Sequence, residues 1–69
     1  MEMKKVNAGN LRAIGYDERT RVLQVETTAG KFEYTGVSAD VYRRLAGSSS
    51  MWSYYRDNIE DEFTAKRLR

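Results

Sequence analysis

Two short alternating runs, one after the other, most limit what this chain can become. In residues 21–27, Leu23 and Val25 fall on one side while Gln24 and Glu26 fall on the other. In residues 31–36, Phe32 and Tyr34 oppose Lys31, Glu33 and Thr35. A period of two is that of a strand with one buried face. Thr28-Ala29-Gly30 between the runs leaves room only for an antiparallel return, and Gly30 is free to take a positive φ there. Residues 11–16 supply a third run, closed by the turn-like cluster Asp17-Glu18-Arg19-Thr20. The three runs read as an antiparallel meander with Leu23, Val25, Phe32 and Tyr34 turned inward. Residues 4–7 are a candidate fourth strand.

The period changes at Ser38, which is placed to cap a helix beginning at Ala39. Val41, Tyr42, Leu45 and Ala46 make one apolar stripe, and Gly47 is placed to end it. Ser48-Ser49-Ser50 offers a second cap. Trp52, Tyr55, Ile59 and Phe63 then recur at helical spacing, with Lys66, Arg67 and Arg69 expected in the last turn, where cations suit the helix dipole. The expected fold is α+β, a three-stranded antiparallel meander followed by two helices packed on one face, in the order β-β-β-α-α. One domain spans residues 1–69, with 64–69 as a basic tail.

At 69 residues such a core is small. Five Tyr, two Phe and one Trp supply the bulk it needs. No cysteine is present, so disulfides and thiolate metal sites are excluded. No apolar run approaches the ~20 residues of a membrane span, and Met1-Glu2-Met3-Lys4-Lys5 followed by Val6-Asn7-Ala8-Gly9-Asn10 is too polar for a signal peptide. These features point to a soluble cytoplasmic protein.

Catalysis is not expected. With no histidine, no side chain titrates near neutral pH without a large shift. A metal could draw only on oxygen ligands, and Asp57, Glu60, Asp61 and Glu62 read more simply as a solvated helix face with a local Glu62–Lys66 pair. The serine run lacks a base to make it a nucleophile and lacks the Gly-rich loop with Lys that cradles phosphate. No cofactor is expected.

Binding is the better-supported class. The net charge is only +2, but Arg43 and Arg44 project from the first helix away from its apolar stripe, and Arg56 borders the second stripe beside Trp52 and Tyr55. Arg12, Arg21 and Lys31 add charge from the strands. Basic groups beside aromatic rings can hold phosphates while bases stack, although Asp40 is spaced to pair with Arg43 and Arg44. The opposite sheet face (Val22, Gln24, Glu26, Lys31, Glu33, Thr35) is mixed in charge and has no aromatic platform, so RNA recognition on an open sheet face is not expected. Tyr54 lies roughly opposite the Trp52–Ile59 stripe, as an exposed partner contact would.

Ile14-Gly15-Tyr16-Asp17, Leu23-Gln24-Val25 and Phe32-Glu33-Tyr34-Thr35-Gly36-Val37 together resemble the KTSC domain, whose signature is an aromatic, any residue, Tyr, then a Gly-Val turn into a helix. Tyr42, Leu45, Ala46, Ser48 and Ile59 fit its helical half, so the resemblance spans roughly residues 6–63. Phe32 stands where the family usually has Tyr, Ser38 stands where it often has Pro, and Ile59 falls late enough to imply a small insertion around residues 51–54. The family is named for its occurrence at the C-terminus of some lysyl-tRNA synthetases, and it also occurs as a stand-alone bacterial protein. The resemblance implies fold more than function. Two readings follow: an RNA-binding accessory module using Arg43, Arg44 and Arg56, or a protein-interaction or self-association module using a free strand edge or the surface around Tyr54.

Overall fold

The two alternating runs pair as their period requires. In the computed structural model, which describes residues 3–68, β3 (Val22–Thr27) and β4 (Gly30–Thr35) form an antiparallel hairpin. Leu23 stands opposite Tyr34, and Val25 opposite Phe32. Leu23, Val25 and Tyr34 are buried, and Phe32 packs partly buried against them. Burying each aliphatic chain contributes about 1.5–3 kcal/mol, so this face anchors the fold. Thr27 closes the turn, its hydroxyl accepting from the Ala29 amide at 3.1 Å and donating to the Gly30 carbonyl at 3.2 Å.

β2 (Leu11–Asp17) flanks β3. Its register shifts between Leu11, which faces Thr27, and Ala13, which faces Glu26. The extra residue lets Leu11 and Ile14, three apart, both enter the core.

The sheet has five strands rather than three, in the order β1-β2-β3-β4-β5. β1 (Lys4–Ala8) realises the candidate fourth strand, although only Val6 and Ala8 are apolar. Its partner is set by the turn at Gly9-Asn10, which brings Ala8 opposite Leu11. Gly9 supplies φ +60 there, at the first turn residue.

β5 (Ala65–Arg67) corrects the expected tail. Lys66 and Arg67 belong to a strand paired with β4, Lys66 facing Glu33 and Arg67 facing Phe32, and not to a last helical turn. Arg69, like Met1 and Glu2, lies outside the described residues. Two effects favour this outcome. Asp57, Glu60, Asp61 and Glu62 crowd carboxylates where the helix dipole is negative, which disfavours further helix. The outer edge of β4 meanwhile presents unpaired backbone groups, which β5 and the Leu68 amide (2.8 Å from the Lys31 carbonyl) satisfy. Lys66 is thereby carried off any helical spacing with Glu62.

The helices cover the inner face. α1 (Ala39–Gly47) begins where Ser38 Oγ accepts from the Val41 amide at 3.3 Å, and Leu45 enters the core. α2 (Met51–Tyr55) runs on as a π-helical turn over Arg56–Glu60. Ser50 occupies the cap position of α2 without a side-chain bond to it. The Trp52, Tyr55, Ile59, Phe63 stripe faces inward as its spacing demands: Tyr55 and Ile59 are buried, and Trp52 and Phe63 partly so. Regular helix ends short of Phe63, whose amide bonds back to the Ile59 carbonyl at 3.0 Å. No helix among the described residues is long and apolar enough to cross a membrane.

One latch holds the strand-to-helix junction. The Val37 amide donates to the carbonyl of Arg21 at 3.0 Å, and the Val37 carbonyl accepts from the Tyr16 hydroxyl. Arg21 adopts φ 56 to present that carbonyl, and Tyr16 stacks on Tyr42 of α1 with ring centroids 5.0 Å apart. The Gly-Val turn is thus a docking point for two other segments. Tyr16→Phe keeps the stacking but deletes the bond, and should cost about 0.5–1.5 kcal/mol. In urea denaturation the midpoint should fall with the slope unchanged. An unshifted midpoint would show that the latch contributes nothing.

Candidate functional site

The three arginines expected to meet phosphate are all exposed, but they do not form one site. Arg43 and Arg44 sit side by side on α1 and with Asp40 line a shallow depression. Arg43 reaches Asp40 at 3.1 Å, as the i, i+3 spacing predicts, yet both side chains remain about three-quarters exposed (76% and 74%). Such a pair is worth little in water and leaves guanidinium donors free. Among the described residues the ion pairs are this one and a long Lys31–Glu26 contact at 4.0 Å, so Arg44 and Arg56 hold no carboxylate. Arg56 opens the π-helical turn and does not line the α1 depression.

Tyr54 does not stand free. It is half-buried and packs against the core cluster, and its carbonyl accepts from the Asn58 side chain at 3.2 Å.

The outer sheet face has the mixed character read from its residues. Gln24 donates to Glu33 across β3 and β4 at 3.2 Å, and Lys31 lies opposite Glu26. No residue pattern pointed to a hollow of about 550 Å³ beside the edge strand β1, lined by Lys5, Asn7, Arg12, Ala13 and Glu26 among others. Lys5 stands opposite Ala13 only because β1 pairs with β2, so a spacing rule could not have joined it to Arg12.

Between the sheet and α2 lies an aromatic cluster. The Tyr34 and Tyr55 hydroxyls bond to each other at 2.5 Å, with the rings edge-to-face at 5.9 Å. Trp52 stacks on Tyr55 at 5.5 Å. Burial pushes both phenols above their ordinary range, and the nearby Glu60 carboxylate pushes in the same direction. Both therefore stay neutral at physiological pH, and neither is poised to act as a base.

Comparison with known proteins bears on fold and family. No curated protein matches the chain. A crystal structure of a KTSC domain protein from Yersinia pestis superposes with a TM-score of 0.94 at 20% sequence identity, over 99% of this chain and 97% of that one. At that identity the likeness establishes the fold. The KTSC domain profile matches residues 7–63, which includes the meander, the Gly36-Val37 turn and both helices. This chain belongs to the KTSC domain family.

Proposed function

We propose that the domain is an RNA-binding accessory module that holds phosphates through Arg43, Arg44 and Arg56. The observation carrying this reading is that all three guanidiniums are exposed while two of them, on Arg44 and Arg56, have no carboxylate partner among the described residues. The family's occurrence beside a tRNA-charging enzyme supports the same direction. A few separated cations make binding weak, salt-dependent and largely indifferent to sequence.

Self-association through a strand edge has less support. Both edges of the three-stranded meander are covered, that of β2 by β1 and that of β4 by β5. The two outer strands carry Lys4 and Lys5 on β1 and Lys66 and Arg67 on β5, charges that discourage edge-to-edge pairing.

Binding of labelled single-stranded RNA, measured across a salt series, tests the proposal. The log of affinity should fall with log salt by about 0.7 for each phosphate neutralised, about 2 for three arginines. The triple variant Arg43→Ala, Arg44→Ala, Arg56→Ala should flatten that slope by about 2 while keeping its fold. The reading is wrong if the wild type shows no binding at micromolar protein in low salt, or if the triple variant keeps the full slope.

A further inference from the structure

A pocket of about 250 Å³ lies beside the Tyr34–Tyr55 pair, and none of the three arginines lines it. Its walls are Phe32 and Tyr34 of β4, Trp52 and Tyr55 of α2, Ala65 of β5 and the Thr27-Ala29 turn. Four of these groups are aromatic rings. Among the described residues, Glu60 is the only acidic or basic side chain that lines the pocket, and the two phenols are bonded to each other.

Glu60 makes no ion pair among the described residues. Neither Arg67, opposite Phe32 on β5, nor Arg56, four residues before Glu60 in the same turn, lines the pocket. An apolar aromatic wall with one unneutralised carboxylate disfavours anions and offers a neutral apolar ligand nothing for the charge. It suits a weakly hydrated cation, which gains from ring quadrupoles and from the carboxylate together.

We propose that this pocket binds an organic ammonium group, with Phe32 and Trp52 as the aromatic contacts and Glu60 as the counter-charge. The ammonium could be borne by a free small molecule or by an alkylated lysine of a protein. The chemistry is shared between these sources, and none of the arginines proposed to hold phosphate lines the pocket.

Trp52 is the single tryptophan of the chain, so its fluorescence reports occupancy directly. Choline is titrated against matched sodium chloride, beside its neutral carbon isostere in which the quaternary nitrogen is replaced by carbon. Choline should quench Trp52 saturably with half-saturation on the order of a millimolar or below, and the isostere should bind at least roughly fivefold more weakly. Glu60→Gln, at an exposed position, should weaken choline by roughly threefold to tenfold without loss of fold. Phe32→Leu, which keeps apolar bulk but removes the ring, should weaken choline more than the isostere. A trimethyllysine peptide that binds more tightly than choline assigns the cation to a protein, and equal affinity assigns it to a free molecule; either result upholds the site. Equal binding of choline and isostere overturns the proposal. So does a Glu60→Gln affinity equal to wild type, or no saturable quenching at all. None of these outcomes bears on RNA binding, which is scored on the arginine variants.

Discussion

Gly9→Ala should leave the domain largely unfolded at room temperature. A Cβ at position 9 would sit 2.9 Å from Trp52 Cγ, 3.0 Å from its Cβ and 3.1 Å from its Cδ1. These atoms lie near the root of the side chain, so Trp52 cannot swing aside without moving α2. The residue also holds φ +60, which costs a non-glycine residue about 1–2 kcal/mol. Overpacking adds about 1–3 kcal/mol, and the sum approaches the ~3–5 kcal/mol that a core of this size supplies.

Gly36 provides the control. It has φ +76 but open space where a Cβ would go, so Gly36→Ala should show the conformational cost alone, about 1–2 kcal/mol. Urea denaturation followed by Trp52 fluorescence separates the two: Gly36→Ala should keep a folded baseline with a lowered midpoint, and Gly9→Ala should show little or no folded baseline. Equal midpoints for the two variants would mean that the contact between the β1–β2 turn and α2 is not as tight as described.

The second large effect is expected at the tyrosine pair. Tyr55→Ala removes a buried ring that stacks on Trp52 and meets Tyr34 edge-on, and should cost about 3–5 kcal/mol, enough to prevent folding. Tyr55→Phe is more informative. It keeps the ring but leaves the Tyr34 hydroxyl buried without its partner, for about 1–3 kcal/mol. Adding Tyr34→Phe removes the orphan, so the double variant should be more stable than Tyr55→Phe alone. If the double variant is instead less stable by the sum of the single losses, the hydroxyls are not coupled.

The same pair sets the alkaline limit. Both phenols titrate above the ordinary value of about 10 when folded, because burial opposes the phenolate. Above that pH the unfolded chain releases protons that the folded chain keeps, so the unfolded state binds fewer and stability falls as pH rises. The contribution is complete below about pH 10 and is lost progressively above it. The Tyr34→Phe, Tyr55→Phe double variant should therefore lose less stability than wild type between neutral and strongly alkaline pH. Circular dichroism and tyrosinate absorbance across that range would show it, and identical alkaline losses would contradict it.

These expectations draw on features of unequal legibility in the chain. The β3–β4 hairpin was plain because Leu23, Val25, Phe32 and Tyr34 keep a strict period of two, and a one-residue slip would expose all of them. The start of α1 was equally plain, since Ser38 precedes an apolar stripe and its cap bond is local. The residues carrying the family resemblance became intelligible only in place. Tyr16 and Val37 are joined by a bond across 21 positions, and Gly36 supplies the positive φ that brings Val37 to it. The arginines were readable as exposed because they lie off the stripe, whereas the partial burial of Tyr54 comes from packing against the core that helical spacing alone did not show.

By itself, then, the order of residues determined what short-range periodicity and local capping can determine: an antiparallel hairpin with its inner face, a capped helix, and an inward aromatic stripe after the serines. Tertiary structure decided the rest. β1 carries only two apolar residues, enough to suggest a strand but not its partner, and β5 has only three residues and no signal of its own; each pairs where a neighbouring strand edge offers unpaired amides and carbonyls. The helix gave way to β5 where carboxylates crowd its negative end. The Gly9–Trp52 contact, the Tyr34–Tyr55 pair and the pocket beside Glu60 join residues from the β1–β2 turn, β4, α2 and β5, and no local pattern can encode a meeting that depends on how distant segments pack.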